Sequence, residues 1–457
     1  MNTANDVFLT INIGSSETTA IISKPKYDLD NGIDILGIGI EQSAGVNKGL
    51  ITNIEDVSRT IKTAILKAKE SVNEAIGTTV VSISGHHSKG LKASGAVNIP
   101  NGQVSETDIN QAMQMALSNS MILTDYEIVH VIPIYFKVDD ELVENPINMN
   151  GTRLEATVYI VTTKRNTLIN IKSALRVFGI DDVRFALDSY TSALAVLDPQ
   201  QKRVGAVVIN LGASTTEFVF FKGNSILYNG FIPVGSKNIT NDLSIVLQTS
   251  IASAEKIKLE YGSLLKDYSG DENLGPSKIT IPRINDDSDL RDVSLDHIQS
   301  TIHVRVEETI VKVRDQLKKN ALLDNHGFII VLTGGMSKID GIKELTKNIF
   351  GGISTSIAVP KNIPNNFRIN FDELTMPTVV GLLMYTLGIN RGYQLDSSKK
   401  LIRPIRRNKP IEKIPHSFEN ELHEGVMQNK QTTILEPLER NKKKGISSFF
   451  NKLSEWF

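Results

Sequence analysis

Cysteine is absent from all 457 residues. That excludes disulfide staples, thiolate metal centres and cysteine nucleophiles together, and it fits a reducing cytoplasm. Long apolar runs are missing too, since none reaches the roughly 18 residues that a spanning helix needs. The opening MNTANDVFLTINIGSS carries no basic stretch ahead of an apolar one and no small-residue cleavage site, so no signal peptide is expected. Nor is there an excess of one charge. With 50 basic and 51 acidic side chains the net charge is −1, so no global field draws nucleic acid or an acidic substrate, and any electrostatic partner must meet a local patch. The 8 histidines are scattered, and no zinc spacing, serine triad or nucleic-acid motif appears. What is present is ordinary globular material, 40% hydrophobic and 22% charged. At about 150 residues per domain the length suggests roughly two to four domains.

One internal repeat organises the chain. INIGSSETTAII (Ile11 to Ile22) overlays INLGASTTEFVF (Ile209 to Phe220), with Ile, Asn and Gly recurring at the first, second and fourth places and a further Ser and Thr shared. Each copy lies among apolar β-rich runs and reads as strand, tight turn, strand. Two related halves, each opening with a β-hairpin, are the economical inference.

After the first hairpin comes a strand-like DILGIGI. A helix VSRTIKTAILKAKESV follows, whose Val57, Ile61, Ala64, Ile65 and Ala68 form a stripe that needs a sheet to cover. VVSISG, IVHVIPIYFKV and ATVYIVTT read as strands, and SETDINQAMQMALSN as a helix entered through Ser105 and Asp108 at capping-box spacing. Residues 84–162 are thus expected to form a compact β/α insertion. The second half brings its hairpin, a helix around IASAEKIKLEYG, a polar stretch from 266 to 297 and a helix from 298 to 320. Then come the strand GFIIVLTGG, a helix from about 339 and the apolar helix TVVGLLMYTLG. Folded sequence is expected to end near 393. From 394 to 440, prolines at 404, 410, 415 and 437 sit among charged and amide side chains without apolar periodicity, the composition of a disordered linker.

Successive backbone N–H groups in a tight turn of small residues suit the phosphates of a nucleotide. Gly14, Ser15 and Ser16 supply one such turn, and Gly212, Ala213, Ser214, Thr215 and Thr216 a second with added hydroxyl donors. Either turn alone reads equally as an ordinary hairpin; their pairing favours phosphate. In VLTGGMSKIDGI, Gly334 and Gly335 expose backbone to a flat base or sugar. Glu255 and Lys258, three apart on one helix face, suit ribose hydroxyls, or form a solvated ion pair.

The end of the chain differs from the linker before it. ISSFFNKLSEWF places Ile446, Phe449, Phe450, Leu453, Trp456 and Phe457 on one unbroken helical stripe, behind Arg440, Lys442, Lys443 and Lys444. Bulky aromatics, among them the chain's only Trp, and upstream cations are what a helix lying in a membrane surface needs, so binding to anionic lipid is expected here. Docking on the protein's own core is the alternative. The basic run Lys399, Lys400, Arg403, Arg406, Arg407 and Lys409 reads as solvated linker.

The order of hairpin, hairpin, AEKIK helix and LTGGMSKIDGI resembles the actin and Hsp70 ATPase superfamily. GVNKGLITNIEDV, the small insertion after it and the terminal helix are similar more narrowly to the FtsA family of bacterial cell-division proteins. The resemblance covers residues 6 to about 393 and the tail. It implies an α/β fold of actin-like (ribonuclease-H-like) type, a duplicated two-lobe ATPase. Residues 1–83 and 163–202 would be subdomain 1A, 84–162 the inserted 1C, 203–235 and 330–393 subdomain 2A, 236–329 subdomain 2B, 394–440 linker and 441–457 the amphipathic helix. ATP would lie between the halves, on Asn12, Gly14, Ser15 and Ser16, on Asn210 and Gly212 to Thr216, on Glu255 and Lys258, and on Gly334, Gly335 and Met336. FALDSYTSALAVL resembles the helix connecting the lobes and TVVGLLMYTLG the one that closes the hinge. The resemblance further implies self-polymerisation, docking of the FtsZ C-terminal tail on 2B, later division proteins on 1C, and a place at the septum on the cytoplasmic side of the membrane. A chaperone-type or pilus-assembly ATPase of the same superfamily is the alternative.

The sequence departs from that pattern at the metal. Asn12 and Asn210 stand where acidic residues usually hold magnesium and its waters, and an amide lacks the anionic oxygen this ion prefers. Losing one such charge removes roughly several kcal/mol of attraction at an effective dielectric near 20. Glu17 in the first loop would repel phosphate, and Glu217 either substitutes as a metal-facing carboxylate or, the favoured reading, caps its hairpin. The expectation is retained ATP binding, weakened Mg2+ and at most weak hydrolysis, with the catalytic residue unassigned and no metal-ligand set. Arg305, Lys312 and Arg314 on the 298–320 helix would meet an acidic peptide or form its solvated face.

Overall fold

The computed structural model describes residues 7–26, 32–70, 72–265, 278–284, 286–323, 327–361, 369–389 and 391–403. In chain order the first lobe has β1 (Phe8–Ile13), β2 (Glu17–Pro25), β3 (Ile33–Gln42), the small pair β4 (Val46–Asn47) and β5 (Leu50–Ile51), α1 (Ile54–Lys69) and β6 (Thr78–Ile83). An insertion follows, with β7 (Lys89–Asn98), α2 (Glu106–Ser118), β8 (Tyr126–Val138), β9 (Glu141–Val143) and β10 (Arg153–Lys164). Helix α3 (Arg165–Arg176), β11 (Val183–Leu187) and α4 (Asp188–Val196) return to the first lobe. The second lobe opens with α5 (Pro199–Val204), β12 (Ala206–Leu211), β13 (Thr216–Lys222), β14 (Ser225–Ile232), α6 (Ser236–Val246) and α7 (Ile251–Tyr261). It continues through β15 (Lys278–Arg283), β16 (Asp286–Ser294), α8 (Leu295–Lys319), β17 (Ile329–Thr333), α9 (Ile342–Ile349), β18 (Thr355–Ile357) and α10 (Pro377–Thr386). Two short strands, β19 (Gln394–Leu395) and β20 (Leu401–Ile402), come last.

The sequence repeat is a repeat of topology. The first sheet runs β11-β6-β1-β2-β3 and the second, read the other way, β18-β17-β12-β13-β14. In each, the opening strand pairs antiparallel with its hairpin partner and parallel with a later strand, β1 with β2 and β6, β12 with β13 and β17. This is the duplicated, two-lobe, actin-like α/β fold. The strands are short apolar runs because both faces are covered. On β12, Val207, Ile209 and Leu211 point into one core while Ala206 and Val208 point into another.

That second core joins the lobes. One cluster runs from the first sheet through α1, α3, α4 and α10 to the inner face of the second sheet, where Val219, Phe221 and Ile226 close it. Helices α4 and α10 cross at its centre. A Cβ on Gly381 would lie 1.7 Å from the carbonyl oxygen of Thr191, so only glycine lets the two backbones meet. His130 of β8, fully buried, packs edge-on against Tyr190 of α4 and Tyr385 of α10 with ring centroids 5.0 and 5.2 Å away. Its Nε2 accepts the Leu187 N–H at 3.0 Å. Burial pushes its pKa down to about 3, so the ring stays neutral and structural.

Local signals place the helices. Asn53 caps α1 by accepting from the Glu55 and Asp56 N–H groups, and the stripe Val57, Ile61, Ala64, Ile65 and Ala68 is buried against the sheet. The Ser105–Asp108 capping box opens α2, which covers the insertion's sheet.

The expected start of a linker at 394 is corrected. Residues 394–403 fold back, and the insertion's sheet reads β20-β19-β8-β10-β7. Leu395 pairs with Val131 and is fully buried in the insertion's core. Asp396 closes the turn by accepting from Ser398 and Lys400 N–H, both at 2.9 Å. The Phe185 N–H donates to Ser397 Oγ, Gln114 donates to the Lys399 carbonyl, and Arg403 pairs with Glu106 at 2.8 Å. Polar composition hid this hairpin, because only the pairs Gln394-Leu395 and Leu401-Ile402 form its strands. Residues 404–457, with the rest of the expected linker and the terminal helix, lie outside the described residues.

The helix crossing predicts the cost of filling it. Gly381→Ala drives a methyl into a backbone carbonyl and is expected to lose about 1–3 kcal/mol or more, read as a lower urea midpoint at unchanged slope. An unchanged midpoint would show that the helices do not meet there.

Candidate functional site

The two hairpin turns are built alike down to the hydrogen bond. Gly14 N–H donates to the Glu17 carbonyl at 3.1 Å, and Gly212 N–H to the Thr215 carbonyl at 2.9 Å. Ser15 is half-buried and Ser16 exposed in the first turn; Ala213 and Thr215 are half-buried in the second. The Ser214 hydroxyl is buried without a partner, a donor left over in the second turn. Thr216 is turned away, its hydroxyl donating to the Val234 carbonyl at 2.9 Å. Helix α6 starts against the second turn, with Ser236 and Lys237 N–H donating to the Gly212 and Ala213 carbonyls at 3.0 and 2.7 Å.

The glycine turn after β17 lies over the end of β12. Gly334 has φ +91°, and a Cβ there would sit 2.4 Å from the Leu211 carbonyl and 2.5 Å from Asn210 Oδ1. Gly335 is half-buried beside it, whereas Met336 is 2% exposed and packed into the second-lobe core. Glu255 and Lys258 of α7 bind each other at 2.7 Å, and Thr240 of α6 donates to Glu255 at 2.5 Å. Burial acts to raise the Glu255 carboxyl, but the Lys258 and Thr240 bonds and the charge of Lys237 hold it below its ordinary value. Lys258 is buried and Glu255 half-exposed, so the lysine orients the carboxylate and the carboxylate is the group free to meet hydroxyls.

The two amides have different neighbours. Asn12 Oδ1 accepts from the Ser82 hydroxyl at 2.8 Å. Asn210 Nδ2 donates to Ser192 of α4 and Thr378 of α10, both at 3.0 Å, and those hydroxyls bond each other at 2.9 Å. An amide can donate there where a carboxylate cannot, so Asn210 ties β12 to the crossing helices.

Sequence reasoning missed one acid and misplaced another. Asp188, at the start of α4, has its Oδ1 buried without a partner, and Ser82 lies between it and Asn12. Its helix-start position after β11 was the available signal, passed over because the segment reads as an apolar connector. Glu217 neither caps its hairpin nor stands free for metal. It reaches across to the first lobe, accepting from Ser84 Oγ at 2.6 Å and Gly85 N–H at 3.1 Å. Burial pushes the Asp188 carboxyl up to about 7. Burial and the facing Asp188 charge push Glu217 up to about 8. Burial and mutual repulsion make the second ionisation of this pair harder than the first, which weakens the attraction it offers a metal. Among the described residues no group of three or more metal-ligating side chains exists.

Lys237 closes the mouth of the cleft, its Nζ donating to the Ser15 carbonyl at 2.8 Å. Glu17 is exposed at the rim. The three cations read as meeting an acidic peptide or forming the solvated face of α8 are paired within the protein. Arg305 grips Asp242 of α6 through two bonds of 2.5 and 3.0 Å and also pairs with Glu308, Lys312 pairs with Glu308 at 2.5 Å, and Arg314 pairs with Asp315 at 2.8 Å. They fasten and solvate α8. Among the described residues no helix is long and apolar enough to cross a membrane.

Known proteins resemble this arrangement. The family model described as "Cell division protein FtsA" matches residues 207–380, and that described as "SHS2 domain inserted in FTSA" matches residues 85–162. The Cell division protein FtsA of Helicobacter pylori (strain J99) is 30% identical over 426 residues, covering 87% of this chain and 85% of that protein. Its counterpart from Pseudomonas aeruginosa is 30% identical over 381 residues, covering 82% and 88%. A solved structure, the "PilM-PilN type IV pilus biogenesis complex", shares the fold with a TM-score of 0.56 at 15% identity, over 83% of this chain and 98% of that one.

The carboxylate pair makes stability depend on pH. Both groups bind protons more tightly folded than unfolded, so their contribution is complete below the ordinary carboxylate range and is lost as pH rises through about 7 to 8. The urea midpoint is expected to fall between pH 5.5 and 8.5, and Glu217→Gln to flatten that decline. An equally steep decline in the variant would remove the pair as its cause.

Proposed function

The chain belongs to the FtsA family of cell division proteins, and from that premise we propose that it is an ATP-binding, polymerising septum protein that tethers FtsZ to the cytoplasmic face of the membrane. The observation that carries the nucleotide part is the pair of identically bonded turns, Gly14 to Glu17 and Gly212 to Thr215, one in each lobe and joined through the α4–α10 crossing. Backbone N–H groups near Ser15, Ser16, Ala213 and Thr215, with the spare Ser214 hydroxyl, suit phosphate oxygens. Gly334 lets the turn close on the end of β12, Gly335 beside it leaves room for the base, and Glu255, held by Lys258, is placed for ribose hydroxyls.

ATP, when bound, supplies a triphosphate between the lobes. Asp188, with a free buried oxygen beside Ser82 and Asn12, is the side chain placed to orient water toward it. Burial raises its pKa, and together with the uncharged Asn12 and Asn210 this would keep hydrolysis weak.

The remaining parts come with the family. Subdomain 2B, residues 236–329, takes the FtsZ tail; Arg305 is held in a bidentate bond to Asp242, whereas Lys312 and Arg314 lie in exposed pairs that an acidic peptide can displace. The insertion meets later division proteins. The tail stripe Ile446, Phe449, Phe450, Leu453, Trp456 and Phe457 enters anionic lipid beside Lys442, Lys443 and Lys444. One short helix binds weakly, so alignment of subunits into a filament makes attachment avid.

Three measurements test this reading. Calorimetric titration with ATP should give saturable binding tighter than about 1 mM, and no binding would reduce the cleft to a scaffold. Asn12→Asp with Asn210→Asp should raise phosphate release by roughly tenfold or more, and an unchanged rate would acquit the missing charges. Cutting after residue 440 should abolish co-sedimentation with anionic vesicles, whereas persistent binding would move the anchor elsewhere.

A further inference from the structure

Lys237 touches both turns at once. Its backbone N–H donates to the Ala213 carbonyl in the second turn at 2.7 Å, and its ammonium donates to the Ser15 carbonyl in the first at 2.8 Å. The residue is exposed, so its side chain is free to exchange partners. A neutral carbonyl holds an ammonium less strongly than a phosphate oxygen does, because the phosphate adds the attraction of an opposite full charge to the hydrogen bond. The same place lacks two of the usual charges that attract a metal, because Asn12 and Asn210 are amides. The Glu255 carboxylate feels the Lys237 charge from the ribose side.

We propose that Lys237 is a phosphate-binding cation of the cleft, leaving Ser15 for the terminal phosphates of a nucleoside triphosphate and supplying neutralisation that an acid-held divalent metal would otherwise bring. This rests on the reading of the cleft as a nucleotide site. It makes affinity depend on the number of phosphates and little on magnesium. Because an exposed ammonium is screened by salt, the preference for triphosphate weakens as ionic strength rises.

The test is calorimetric titration of the full chain with ATP, ADP and AMP, each in EDTA and in magnesium, for the wild type, Lys237→Met and Lys237→Arg. The wild type is expected to bind ATP in EDTA within about tenfold of its affinity in magnesium. Lys237→Met should lose about tenfold or more for ATP in EDTA, less for ADP and under about twofold for AMP, with Lys237→Arg recovering most of the loss. An equal loss for all three nucleotides would make Lys237 a bridge between lobes only and overturn the proposal, as would no loss at all. A wild type that binds none of them would overturn the nucleotide reading together with it. Wild-type binding that Lys237→Met leaves intact overturns the lysine's role alone.

Discussion

The crossing of α4 and α10 is the contact on which the rest depends. Where Gly381 lies on the Thr191 carbonyl, two helices from opposite lobes approach as closely as backbones can, and a single apolar cluster runs through them from one sheet to the other. The crossing is also polar at one point, through Ser192, Thr378 and Asn210, so β12 and the turn beyond it are positioned from the hinge. His130 adds the insertion to the same junction, wedged as a neutral ring against Tyr190 and Tyr385. A change in the angle between lobes must therefore be felt at the second turn and at the insertion together.

Around this hinge the charges of the cleft are redistributed. Two positions where acids were expected are amides engaged in neutral hydrogen bonds, while the acids present sit deeper. Asp188 lies at the start of α4, and Glu217 is donated to by Ser84 and Gly85 across the lobes. Burial raises the pKa of both acids, and the cation that bridges the turns is a lysine on a flexible stem. Between the lobes the charges are thus carried by buried acids and an exposed lysine, while the amides hold neutral hydrogen bonds.

Legibility in the sequence tracked the range of the interaction. The repeat INIGSS/INLGAS foretold two turns with matching hydrogen bonds, and Ser105 with Asp108 foretold a capping box, because both are settled within a few residues. Glu217 was misread because its partners are more than a hundred residues away, and nothing in its neighbourhood says that a carboxylate will leave its own hairpin. Arg305 read as free for the same reason, its bidentate partner Asp242 standing on another helix. Met336 took a place in the site by adjacency to two glycines, yet a thioether packs into any apolar gap, and here the gap was the core. The hairpin after α10 was lost to composition: each strand has only two residues, and its stability comes from Leu395 entering a core made elsewhere.

By itself the sequence determined the duplicated halves and the small-residue turns, because these rest on periodicity, turn chemistry and local order along the chain, and its motifs carried the resemblance that implied the fold class and the family. The tertiary structure alone decided which of those residues face one another. It placed Lys237 between the turns, bound Lys258 under Glu255, set Asp188 beside Asn12 and Ser82, and drew the chain after α10 onto the insertion. The physical reason is that hydrogen bonds and charges act over a few ångströms in space, and proximity between distant segments is created only when the common core at the helix crossing closes.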